Sequence, residues 1–159
     1  IDIMEAINLA MSCEVCQGGR EDRVYGTLHY GGQWPKNEYT GNSVHLPAPA
    51  DGFHTYRVDW SAGRMDWYVD DVHFSTKTHD QWHSQNVKGD PGFDAPFDRP
   101  FHIILNLAVG GKWPESENNV GYFASDFPKE MIVDYVRVYQ CAADPQTGKA
   151  CQAARQAKK

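Results

Sequence analysis

The first five residues, Ile1-Asp2-Ile3-Met4-Glu5, set two carboxylates among apolar neighbours. Paired acids in an apolar setting suit proton transfer, because desolvation and mutual repulsion push their pKa values apart. The apolar residues read as a buried strand. A regular strand has a period of two, so Asp2 and Glu5, three apart, would face opposite sides. One extra residue at Ile3-Met4, a β-bulge, would bring both acids onto one face. The alternative is an ordinary edge strand carrying two solvated acids.

The elements that must position this pair are strands. Tyr56, Val58 and Trp60 alternate with Arg57 and Asp59, and Met65, Trp67 and Val69 alternate with Asp66 and Tyr68. Asp70-Asp71 falls where a tight turn would join that second run to Val72–Ser75, which predicts a hairpin. Phe101, Ile103, Leu105, Leu107 and Val109 form a long alternating face ended by Gly110-Gly111, and Ile132–Gln140 reads as the last strand. Further strands are expected at Ile1–Asn8, Arg23–Tyr30 and Ser43–Leu46. Trp60 and Trp67 fall on the apolar parity of their strands and are expected in the core. Gly31–Gly41 and His79–Arg99 read as long loops of the kind that shape a binding site. Gln152–Lys159 is polar and is expected to be frayed, or at most a short helix. Many short strands joined by Gly/Pro-rich loops indicate an all-β sandwich or jelly roll.

At 159 residues the chain suits one domain. Five Trp and eight Tyr in a chain of mean hydropathy −0.61 suit a β protein that displays aromatics in a groove as well as burying them. A net charge of −6 argues against a nucleic-acid partner. No apolar stretch is long enough for a membrane span, which argues against a membrane role. The chain does not begin with Met, so it is expected to be processed or part of something longer. Cys13/Cys16 and Cys141/Cys151 form two close pairs, and only the first has C-x-x-C spacing. Two local disulfides in a secreted protein are favoured over a zinc site, with Cys141–Cys151 the stronger bridge, although three connectivities are open.

Five segments in order resemble glycoside hydrolase family 16. Residues 1–5 are similar to the end of its acidic signature, E-[ILV]-D-[IV]-[MVL]-E. Gly26-Thr27-Leu28-His29-Tyr30-Gly31-Gly32 resembles the strand that follows in the laminarinase branch. Phe53–Trp60 with Met65–Asp70 resembles its central hairpin. Leu105–Pro114 and Val133–Tyr139 are similar to its closing strands. The resemblance implies a concanavalin A-like β-jelly roll over residues 1–141, incomplete at the N-terminus, with 142–159 as a tail. It implies secreted or extracellular (including periplasmic) endo-hydrolysis of β-1,3-glucan with retention of configuration. Retention requires a nucleophile and a general acid/base, both carboxyl groups.

Carried over residue by residue, the resemblance makes Asp2 the assisting acid and Glu5 the general acid/base. It puts the nucleophilic Glu immediately before Ile1, and it implies an N-terminal half supplied as more of the same protein, as a separate chain, or by a second copy. His29 takes a cleft position where its imidazole would hydrogen-bond the sugar or Glu5, unless it is simply packed or solvated. Trp34 and Trp113, in or beside Gly/Pro loops, are candidates for stacking on a pyranose face, with loop packing the alternative. Asn106 has the opposite parity to Leu105 and Leu107 and is a candidate hydroxyl partner or a buried structural amide. Asp134 sits on a strand face with Ile132, Val136 and Val138, where a carboxylate needs compensation. The resemblance suggests structural Ca²⁺ there, the alternative being a salt bridge to an Arg such as Arg137. The competing functions are a non-catalytic β-glucan-binding protein on the same fold and a disulfide-bearing structural β domain. The paired acids favour the enzyme.

Overall fold

The Asp70-Asp71 hairpin forms as expected, with both residues in the left-handed region (φ 46° and 66°) that a two-residue turn between twisted strands requires. It lies in a computed structural model that describes residues 1–47, 50–85, 92–118 and 124–157. The strands are β1 (Asp2–Glu5), β2 (Arg23–Gly31), β3 (Asn37–His45), β4 (Tyr56–Ser61), β5 (Arg64–Val69) and β6 (Val72–Thr78). Two short helices follow, α1 (Lys112–Asn118) and α2 (Lys149–Gln156). The strands make two antiparallel sheets, ordered β1-β2-β3 and β4-β5-β6.

Period-two alternation decides which face of each sheet is buried. Val24 and Leu28 of β2 turn inward with Met65, Trp67 and Val69 of β5, and Trp82, Phe97 and Leu46 complete the packing. Each such side chain stabilises the fold by roughly 1.5–3 kcal/mol on burial. The opposite face of β2, with Tyr25, Thr27 and His29, is left to the cleft. Trp67 is fully buried, as expected, and its indole N–H donates to the backbone oxygen of Asp2 at 3.0 Å. Trp60 is not a core residue: it is 41% exposed and meets Phe101 edge-on.

β3 begins at Asn37, so the long loop expected over Gly31–Gly41 is a short turn and the strand is longer than Ser43–Leu46. Its outward residues (Asn37, Tyr39, Gly41, Ser43) are polar or small, which hides the alternation that marks a strand. The expected loop His79–Arg99 begins with a 3₁₀ turn at His79–Gln81, and residues 86–91 lie outside the described residues. Among the described residues, the expected strands Phe101–Val109 and Ile132–Gln140 join neither sheet. Their apolar periodicity is intact, yet Ile103, Leu105, Leu107, Val109, Val136 and Val138 are each more than half exposed. A strand exists only through its neighbour, and the sandwich described here supplies none.

The cysteines pair as Cys13–Cys16 and Cys141–Cys151. Beyond the second bridge the chain is tied down rather than frayed. Gln152 of α2 donates to Asp66 at 2.7 Å and accepts from the Ser61 hydroxyl, while Arg155 reaches Asp59 at 2.5 Å. Burial alone would raise the Asp66 pKa, but hydrogen bonds from Arg64, Thr76 and Gln152 outweigh it and hold it below the ordinary carboxylate value. No helix among the described residues is long and apolar enough to cross a membrane.

Candidate active site

The strand that carries the two acids goes out of register as its spacing demands. Asp2 stands opposite Thr27 and Glu5 opposite Tyr25, so three steps along β1 match two along β2. That bulge turns both carboxylates to the face shared by Tyr25, Thr27 and His29. The backbone of the bulged strand is held from behind by the Trp67–Asp2 bond across the core.

On this face the His29 Nε2 lies 2.8 Å from an Asp2 carboxylate oxygen. One polar atom from each of Asp2, Glu5 and His29 falls within 4.8 Å of the others. Burial raises the Glu5 pKa, and the Asp2 charge raises it further; the Thr27 hydrogen bond and the His29 charge offset part of the rise. Glu5 is therefore shifted toward the protonated form that a general acid needs. The group opens into a cavity of about 590 Å³ lined by Glu5, Tyr25, Thr27, His29, Tyr39, Gly41, Asn42, Ser43 and Trp113. Trp113 meets Tyr25 edge-on at 5.0 Å, and Tyr39 lies 5.9 Å from the His29 ring. The cavity thus has an acid, an imidazole and flat aromatic surfaces at both ends, a cleft suited to ring-shaped polar ligands and proton transfer.

Of the candidate residues, Asp2, Glu5, His29 and Trp113 come together here. The imidazole bonds Asp2, not Glu5. Trp34 is 84% exposed in the turn before β3 and does not line the cavity. Asn106 is exposed in the segment that joins no sheet, and so is Asp134. Among the described residues, the groups of three or more potential side-chain ligands are Asp2/Glu5/His29 and Cys13/Cys16/Glu21. Neither includes Asp134. Tyr25, Thr27 and Tyr39 were missed as cleft residues. For Tyr25 and Thr27 the signal was present, since both share the parity of His29 along β2.

The described strands form an antiparallel sandwich in which one face of β1-β2-β3 is buried and the other is lined by acids and aromatics. The chain belongs to the glycosyl hydrolases family 16, whose sequence profile matches residues 14–129. It is 41% identical over 143 residues to Glucan endo-1,3-beta-glucosidase A1 of Niallia circulans, covering 88% of this chain and 19% of that relative. It is 33% identical over 144 residues to a Beta-glucanase of Rhodothermus marinus, covering 88% of this chain and 44% of that relative. A Beta-1,3-glucan-binding protein of Penaeus monodon is 39% identical over 101 residues, covering 54% of this chain and 27% of that relative. The chain thus spans less than half the length of each of these relatives. The profile match begins after Asp2 and Glu5.

Proposed function

We propose that the protein hydrolyses β-1,3-glucan of the laminarin type with retention of configuration. The observation that carries this reading is the bulge in β1, which sets Asp2 and Glu5 beside His29 at the mouth of an aromatic-lined cleft. In the first step Glu5 donates its proton to the leaving glycosidic oxygen while a carboxylate nucleophile attacks the anomeric carbon. That nucleophile is assigned to the position immediately before Ile1. In the second step Glu5, now a carboxylate, takes a proton from water as the water displaces the nucleophile. Asp2 keeps the Glu5 pKa raised and holds the His29 imidazole. Tyr25, Tyr39 and Trp113 offer faces for the sugar rings.

The exposed apolar runs 101–109 and 132–139 are assigned strand partners from the remainder of the fold. Apolar residues on unpaired strands are an association hazard that a finished sandwich removes. Calcium enters this proposal only as a structural ion at Asp134 completed by oxygens from outside residues 1–159. The proposal places the protein in an extracellular setting, where the two disulfides persist. A glucan-binding protein without hydrolysis would not need the paired acids.

The test is release of reducing ends from laminarin by the full-length protein, with the first-formed anomer identified by NMR. A β-anomer supports the proposal; no release, or an α-anomer, sinks it. The pH profile tests the acid assignment. Glu5 must be protonated to act, so kcat/KM should fall as pH rises through its raised pKa. Asp2→Asn removes a negative charge and should move that limb to lower pH. A limb that stays in place would take Asp2 out of its assigned role.

A further inference from the structure

Trp113 lines the cleft, and the helix that carries it is contacted by the stretch of chain leading from Glu5 into β2. It sits in α1, a helix of seven residues preceded by a segment that joins no sheet. Two hooks come from residues 6–23, the stretch that leaves Glu5 and enters β2. The Asn8 side-chain amide donates to the backbone oxygen of Pro114 at 2.8 Å, one residue from Trp113. An Arg23 guanidinium nitrogen lies 3.6 Å from Glu117 in the last turn of α1.

Both hooks are anchored more firmly than a surface pair would be. Arg23 is clamped by Glu21, which accepts from its Nε at 2.8 Å and from its Nη2 at 2.6 Å. Glu21 is fully buried. A planar fork on a buried carboxylate leaves the guanidinium little freedom, so it reaches α1 from a fixed position. Asn8 is held in the left-handed region (φ 51°), which Asn tolerates, and its backbone oxygen accepts from Met11 at 3.0 Å. The Glu21–Arg23 pair, with its carboxylate fully buried, takes no part in the hydrolysis derived above, yet it ties the first residue of β2 to the helix that carries Trp113.

We infer that Asn8 and the Arg23–Glu117 pair are positioning residues that hold the Trp113 indole in register with the cleft, and so set the affinity for the glucan chain without touching it. This rests on the reading of Trp113 as a sugar-stacking residue. If the indole is in place for only a fraction of the time, apparent affinity falls by that fraction. The chemical step is unaffected, because Glu5 and Asp2 are carried by β1.

The experiment is a pair of thermodynamic cycles on the full-length protein with laminarin. Asn8→Gly keeps the left-handed backbone and removes the amide, and Glu117→Ala frees the end of α1 from Arg23, which stays clamped by Glu21. Each should raise KM by about threefold to tenfold with kcat within about twofold. In a Trp113→Ala background, each should change KM no further. An unchanged KM in the single variants, or an equal rise with and without the Trp113 indole, would overturn the inference. If Trp113→Ala itself leaves KM unchanged, the stacking reading falls and takes the inference with it. A KM effect of Trp113→Ala with no effect of either hook defeats the positioning role alone.

Discussion

Glu5→Gln in the full-length protein is expected to lower laminarin hydrolysis by at least about 10²-fold, the scale of a lost general acid/base. Gln preserves the size and the hydrogen-bonding outline of the side chain but has no proton to give to the leaving oxygen. The deficit should depend on the leaving group. An aryl glucoside whose phenolate departs unaided bypasses the first proton transfer, so formation of its glycosyl-enzyme should be much less affected. The second half-reaction still needs a base, and azide, which needs none, should restore turnover by giving the glycosyl azide. Single-turnover kinetics on both substrates checks this. Equal losses on laminarin and on the aryl glucoside, or laminarin rates close to those of the unaltered protein, would remove Glu5 from the role.

Gly26→Ala is the second large effect, and it acts from behind the site. Gly26 lies in β2 between Tyr25 and Thr27 and faces the core, where an added Cβ would sit 2.4 Å from Trp67 Cδ1 and 2.8 Å from its Nε1. Trp67 is fully buried, so it cannot swing into solvent. The methyl must displace an indole that also bonds the backbone of Asp2. Overpacking of this kind is expected to cost about 3 kcal/mol. In a chain of this length that corresponds to a drop in Tm of roughly 6–12 °C. Activity should fall as well, because the displaced indole releases the bulged strand that aims both acids. A thermal melt and laminarin kinetics measure the two effects. Combining Gly26→Ala with Trp67→Phe, which makes room, should cost less than the sum of the single changes. Strict additivity would show that the clash is relieved some other way.

These two substitutions mark what could and could not be read in the chain. The acids and their three-residue spacing are properties of five consecutive residues. Those residues leave a choice between a bulge and an edge strand with two solvated acids, and the register of β1 on β2 decides for the bulge. The Asp70-Asp71 hairpin and the two local disulfides are likewise short-range. Alternation also identified Trp67 as core, since it shares the apolar parity of Met65 and Val69 along its strand.

Long-range contacts escaped. That Gly26 is the space for Trp67 depends on two sheets meeting face to face, 41 positions apart in the sequence. The contacts of Asn8 with Pro114 and of Arg23 with Glu117 join parts of the chain with no common pattern. The first half of β3 hides its alternation, because Asn37, Glu38, Thr40, Gly41 and Asn42 surround Tyr39 with polar residues and glycine, and Asp2, the partner of His29, lies on another strand.

Two acids three apart on one short strand, an imidazole on the next, and alternating apolar positions that make an all-β sandwich are local facts, fixed by side-chain identity and by the period of the backbone. Which indole holds Asp2, which residues reach the helix of Trp113, and which alternating segments find a neighbour emerge on folding, because each joins parts of the chain far apart in sequence. Phe101–Val109 has the pattern of a strand and joins no sheet among the described residues. The pattern reports a readiness to pair; the hydrogen-bonded ladder needs a second backbone beside it.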